Sequence, residues 1–475
     1  MAHPPLLIFL MHAWGRVVSS DLALRLPAIL AGTAFCWVFF KWLHRLAGLY
    51  VALSGLVFAS LLPPLVVLSA EVRQYEFLLL FAVCAAYCLE RALAENSMAF
   101  MFLSAVSTYA AMLSHYSGFF FVAVLGIYAL WRVAARKIAP GVIAIWVSGQ
   151  VAALGLALFL YKTHISHLRE AVIAQEAFNT WLKRSYYHPG TETPAVFVVA
   201  KSFSVFQFLF GQFLIGDFAA LAFVAAVVLL LRGKIPLQKS GPTALQLTAF
   251  LTLPFAMNAS AALLGVYPYG GTRHSALLEI FAIAGIGMLL GAFAQERRFP
   301  GIIFSLVTVA ICFASPTRHP IIARPDQAEA NMHQAVRFAR EQIPASSLLL
   351  VDYESSMLLA HYICEGRPVL DRESLANFLV VDCGNRRIIT TEDIWAFTPA
   401  LFTQRLNDLV RLGKVRPGES VWVGDAGWDV SLDDSLRKEL PELRDLRTYS
   451  FGKNIKFFVL SAGESSLSPF RHDDR

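Results

Sequence analysis

SAEVRQYEFLLLFAVCAAYCLE, residues 69–90, opens on Glu71, Arg73 and Tyr75 and then turns almost purely apolar. An apolar run of this kind has the reach to cross a hydrocarbon core as a helix. The chain repeats the pattern: of its 475 residues 56% are hydrophobic, and its mean hydropathy of +0.55 exceeds what a soluble core needs. A secretory signal peptide would explain only one such run.

Working outward from this stretch, candidate spans fall at 23–43, 47–68, 75–93, 98–113, 116–131, 141–161, 204–231, 245–266, 276–293 and 299–315. Residues 1–315 therefore read as a multi-span domain of about ten helices. The basic residues orient it. Lys41, Arg45, Arg91, Arg132, Arg136, Lys137, Arg232, Lys234, Lys239, Arg297 and Arg298 fall on one side if every span crosses once, and that side reads as the cytoplasm. The net charge of +6 sits in these connections and forms no stripe interleaved with aromatics, so no nucleic-acid partner is expected.

The opposite, outer side receives Ser69 to Tyr75, the turn at His115, the loop 162–203, YPYGGTRHS at 267–275 and the chain after Pro316. Residues 316–475 change character and hold most of the acidic residues. Helical patterns near 326–342, 354–363 and 397–410 alternate with strand patterns at 346–352, 420–425 and 456–462, which predicts an extracytoplasmic soluble α/β domain. Cys36, Cys84, Cys88 and Cys312 lie in or beside apolar spans as small buried hydrophobes, whereas Cys364 and Cys383 are free to pair in an oxidising compartment.

At the outer mouth, Glu71, Arg73 and Tyr75 share a face if the chain is extended; if it is helical, Glu71 and Tyr75 share one and Arg73 turns away. Two readings stand: a juxtamembrane anchor whose charges satisfy each other, or the rim of a substrate groove. Ser114, His115 and Tyr116 interrupt two apolar runs, and GGTRHS sets Arg273 and His274 ahead of the next span. The glycines would let backbone approach an anionic headgroup and Arg273 can fork onto phosphate oxygens, of a substrate or of a membrane lipid. The loop 162–203 adds Lys162, His164, His167, Arg169, Lys183, Arg184 and His188, with no spacing that identifies a metal. Asp352, Asp425 and GDAGWD suit either a sugar-binding cleft or helix caps and turns.

HPPLLIFLMHAW, LRLPAILAG at 24–32, SAEVRQYEFLL and LSHYSGFFF at 113–121 resemble, in order, the motifs of the polytopic GT-C glycosyltransferases of the dolichyl-phosphate-mannose-protein mannosyltransferase and aminoarabinose transferase type. YPYGGTRHS resembles a later outer-face element of bacterial relatives. The resemblance implies a GT-C-like membrane fold in a bacterial inner membrane, a polyprenyl-phosphate sugar donor, a lipid, glycan or protein acceptor on the outer face, and in many members a divalent metal ion. By the same resemblance His3, Glu71 and Tyr75 border the donor cavity, while Arg73, His115, Tyr116, Arg273 and His274 handle the donor phosphate or sugar.

Relatives carry a helix and an acidic outer loop ahead of the HPP element, and this sequence starts at MAHPPL. The resemblance thus places the catalytic carboxylate upstream in a longer chain; otherwise the protein is a noncatalytic relative or scaffold that binds lipid-linked sugar. A lipid or sugar transporter is the alternative from another class, and the gathering of polar groups at one face, away from the midplane, argues against it.

Overall fold

A computed structural model describes residues 4–18, 20–168, 178, 182–297, 299–303, 306, 310, 327–345, 347–364, 372–375, 378–382, 387–391, 394, 396–416, 420–427, 430–440 and 446–461. The chain divides into two compact units, Met1–Ile322 and Ala323–Arg475.

The first unit is a helical bundle: α1 Pro5–Trp14, α2 Asp21–Ala47, α3 Leu49–Leu61, α4 Pro63–Ala70, α5 Tyr75–Glu95, α6 Met98–Ser114, α7 Gly118–Ala134, α8 Pro140–Leu160, α9 Pro194–Phe210, α10 Phe213–Leu231, α11 Ala244–Leu263 and α12 Ala276–Arg297. The protein is a multi-pass membrane protein. Among the described residues, five helices are long and apolar enough to cross a membrane alone, and six if the bent pair α3 and α4 is one span. Three further apolar helices, α6, α7 and α9, have 17 residues each, about 25 Å at the helical rise and at the short end of the spanning range.

Two expected spans are corrected. The run at 47–68 bends by 58° between α3 and α4, where Pro63 and Pro64 follow Leu62 and forbid a continuous helix. The run at 204–231 is a helix pair that turns at Gly211, held in the left-handed region at φ 67°. Gln207 Nε2 donates to Asp217 across that turn at 2.7 Å. Residues 194–203, read as loop, belong to α9. The span at 299–315 lies largely outside the described residues.

The basic connections do gather at one end. Arg45 pairs with Glu95 at 3.1 Å, Arg136 donates to the Ser240 and Gly241 carbonyls at 2.8 and 2.6 Å, and Gln238 N donates to Leu46 O at 2.9 Å. Just inside that end, Glu90 of α5 accepts from the Tyr128 hydroxyl and from Arg132 NH2 of α7, the latter at 3.1 Å, all three residues buried.

The second unit is a mixed α/β domain, as expected, around a seven-stranded sheet of order β2-β3-β4-β1-β5-β7-β6. Its strands are β1 Leu348–Val351, β2 Arg372–Leu375, β3 Phe378–Asp382, β4 Arg387–Thr391, β5 Ser420–Ala426, β6 Arg447–Ser450 and β7 Ile455–Ser461. β4, β1 and β5 are parallel and the outer pairings antiparallel. Helices α13 Gln327–Gln342 and α14 Tyr353–Ile363 pack on one face; α15 Pro399–Arg411 and α16 Leu432–Glu439 pack on the other. Alternation along the strands divides the core: Leu349, Val351 and Trp422 serve the first face, Leu350, Ile389 and Val423 the second. The sequence reading missed β2, β3, β4, β6 and α16, whose short polar-edged segments carry little period. Cys364 is disulfide-bonded; Cys383 lies outside the described residues.

Candidate functional site

The end of the bundle opposite the basic connections joins three loops. Glu71 ends α4 in extended conformation, and a bend through Arg73 and Gln74 leads into α5. The two sequence geometries are thereby resolved: neither a strand nor a helix carries Glu71, Arg73 and Tyr75. Arg73 Nε stands 3.1 Å from Glu71 Oε2, an ion pair not aligned as a hydrogen bond.

α5 starts at Tyr75, whose buried ring lies 5.1 Å from the His115 ring and 6.5 Å from the His274 ring. His115 caps the end of α6 and is buried. Its ring lies 6.2 Å from His274 and 6.4 Å from Tyr267. The Ser117 amide donates to His115 Nδ1 at 3.3 Å and the Ser117 hydroxyl lies 2.8 Å from the same atom. An amide has a proton to give and none to take, so Nδ1 is the acceptor and Nε2 carries the ring proton. Tyr267 then donates its hydroxyl to the His274 carbonyl at 3.0 Å.

Arg273 opens the short helical turn that leads into α12. Arg73 and Arg273 are electrostatic neighbours: burial first, then the Arg273 charge, pulls the Arg73 guanidinium below its usual range, against the opposing pull of Glu71. Of the expected residues, Glu71, Arg73, Tyr75, His115, Arg273 and His274 thus come together. Tyr116 stands aside, its ring stacked on Phe119 at 6.2 Å and its buried hydroxyl without a hydrogen-bond partner among the described residues. His3 lies outside the described residues.

The role expected of the glycines is corrected. Gly270 takes φ 131°, a Cβ on Gly271 would strike the Ser204 carbonyl, and Gly271 N donates to Ser204 Oγ at 2.9 Å. They bring the loop against α9. One participant escaped the sequence reading: Tyr267 lay in a quoted motif and offered an aromatic in a polar loop as its signal. Within the helices below, Glu76 and Glu279 are buried, with Glu76 Oε2 and both Glu279 carboxylate oxygens lacking a hydrogen-bond partner among the described residues.

No group of three or more His, Cys, Asp or Glu able to hold a metal occurs among the described residues. The mouth holds the Glu71 carboxylate, beside Arg73, and the His115 and His274 imidazoles, whose rings lie 6.2 Å apart.

The family profile of dolichyl-phosphate-mannose-protein mannosyltransferase matches residues 2–164. The chain is similar to ArnT from Cupriavidus metallidurans in the apo state, with a TM-score of 0.52 at 12% identity over 100% of this chain and 89% of that one. The fold is GT-C-like. The Archaeoglobus fulgidus oligosaccharyltransferase AglB, solved with an inhibitory peptide and a dolichol-phosphate, gives a TM-score of 0.48 at 9% identity over 96% of this chain and 66% of that one. The same enzyme with Zn and sulfate gives 0.48 at 10% identity, over 98% and 65%. These lower scores add nothing to the assignment, which rests on the ArnT likeness. Among curated proteins none matches the chain.

Proposed function

We propose that the protein transfers a sugar from a polyprenyl-phosphate donor to an acceptor at the outer face of a bacterial inner membrane, holding the donor phosphate between Arg73 and Arg273. The observation that carries this reading is the gathering of the Arg73 and Arg273 loops around the Tyr75, His115 and His274 rings, whose centroids lie 5.1–6.5 Å apart, where burial and the Arg273 charge disfavour the Arg73 charge. A phosphate between the two arginines relieves both costs and accepts their forked donors. The GT-C-like fold supports the reaction class.

The acceptor hydroxyl or amine attacks the anomeric carbon, the bond from that carbon to the phosphate oxygen breaks, and its electron pair leaves on the phosphate. The arginines and the Nε2–H of His115 stabilise the charge that develops there, being fixed before reaction. Tyr75, Tyr267 and His274 wall the sugar. Glu71 is held beside Arg73 and is not assigned as the base; the acceptor proton passes to the departing phosphate or to water.

The test measures binding of polyprenyl phosphate to the full chain in nanodiscs, with release of sugar from a polyprenyl-phosphate sugar as the second readout. Binding weakened by Arg73→Ala and by Arg273→Ala supports the assignment. Equal binding by the wild type and the Arg73→Ala/Arg273→Ala double variant overturns it. Binding without turnover by any acceptor would make the protein a lipid-linked-sugar binder.

A further inference from the structure

The α/β unit carries a second polar site, independent of the mouth of the bundle. β1 is central among the parallel strands, with β4 on one side and β5 on the other. The chain leaves β1 for β4 and then crosses to β5, so β1 and β5 flank a point where the connections diverge. Crevices at the carboxyl ends of such strands are where open α/β sheets bind ligands.

A row of oxygens stands at that edge. Leu350 pairs with Ile389 of β4 and Val351 with Gly424 of β5, so the next positions in register are Thr391, Asp352 and Asp425, on neighbouring strands about 4.8 Å apart. Alternation puts all three on the face of Leu350, Ile389 and Val423. All are buried, at 0%, 5% and 3% exposure. Asp352 Oδ1 accepts the Ser355 amide at 2.7 Å, which caps α14. Asp425 Oδ2 accepts the Leu432 amide at 3.1 Å, leaving Oδ1 without a hydrogen bond among the described residues. Thr391 Oγ1 is buried with no hydrogen-bond partner among the described residues.

Among the described residues no cation hydrogen-bonds either carboxylate, although the Lys456 charge is felt at Asp425. Lys456 is committed to Asp433 at 2.7 Å and Asp434 at 3.1 Å, and Arg437 to the same two residues. Adjacent buried carboxylates without a counterion are costly. We propose that Asp352 and Asp425, with the Thr391 hydroxyl beside them, form a site for one hard divalent cation of the Mg²⁺ or Ca²⁺ class. Two carboxylates with water completing the shell is the usual Mg²⁺ arrangement, while a richer oxygen shell favours Ca²⁺. The site therefore needs no cage of three acidic residues.

The experiment titrates the chelator-treated full chain, in detergent, with Mg²⁺ and separately with Ca²⁺ by calorimetry. One saturable site is expected, weakened on the order of tenfold or more by Asp425→Asn and by Asp352→Asn and less by Thr391→Val. Asparagine at 352 preserves the helix cap, and the unfolding temperature without cation reports whether each variant is folded. Hydrogen exchange of the wild type gives a readout that needs no variant: cation should protect the amides of 348–352, 387–391 and 420–426. Absence of saturable binding, binding unchanged by Asp425→Asn, or protection confined to the helical unit would each overturn the proposal. So would a wild type that answers only to protons.

Discussion

The ring of His115 sits 5.1 Å from the ring of Tyr75, bringing the end of α6 against the start of α5 and turning two loops into one surface. His274 adds the third loop at 6.2 Å from His115. If this surface seats a donor phosphate, Arg273→Ala removes charge-assisted hydrogen bonds worth about 1.5–3 kcal/mol, a loss of roughly ten- to a hundredfold in affinity for polyprenyl phosphate. Binding measured in nanodiscs checks this. Tyr116→Phe should leave that affinity unchanged, because Tyr116 packs on Phe119 instead.

The opposite end of the bundle is clamped by Glu90, Tyr128 and Arg132. Arg132→Leu leaves a buried carboxylate without its cation and should cost about 3–5 kcal/mol, whereas Glu90→Leu and Arg132→Leu together should cost much less. Thermal unfolding of the four corners of this double-mutant cycle in detergent gives the coupling. Additive effects would show that the pair contributes no coupling energy.

Close packing of α3 on α12 rests on glycines. A Cβ on Gly291 would collide with the Val51 backbone, and one on Gly287 would come within 3.1 Å of Gly55 N. Gly291→Val should destabilise by about 1–3 kcal/mol through forced overpacking. Gly155 of α8 has nothing within 4 Å of its Cβ position, so Gly155→Ala should be neutral or slightly stabilising by helix propensity. Detergent melting curves of the two variants separate packing from propensity.

Burial pushes Asp352 up to about 6 and Asp425 up to about 7, the latter with help from Asp352 and Asp433. For an acid whose folded pKa lies above its unfolded value, the folded state holds the proton more tightly, so stability falls as pH rises between the two values. In cation-free protein the α/β unit should therefore lose stability as pH rises from about 4 to about 7. Unfolding of the wild type and of Asp425→Asn across that window checks it, since the asparagine variant should show a flatter profile.

Much of this architecture was legible beforehand. The apolar runs located most helices within a few residues, and the side of the basic connections predicted which loops share an end. The contacts of Arg136 with Ser240 and Gly241 fulfil that expectation. The cluster of Arg73, Tyr75, His115, Arg273 and His274 was readable because each is a polar residue at the edge of an apolar run. Tyr267 was passed over, since an aromatic beside a proline and glycines looks like loop chemistry until its hydroxyl meets the His274 carbonyl. The glycines of the same loop were misread because sequence shows that backbone can come close, not to what; here it comes close to Ser204.

The sequence alone determined that most of the chain is membrane helix, that an α/β domain follows, and which ends carry positive charge. These follow from hydropathy, period and composition, properties of residues near one another in the chain. Only the tertiary structure decided that Arg73 feels the charge of Arg273, that Glu76 and Glu279 lie buried with carboxylate oxygens lacking hydrogen-bond partners among the described residues, and that Thr391, Asp352 and Asp425 stand in one row. Those relationships are set by helix crossings and strand register, which depend on how whole elements interlock and leave no local period to read.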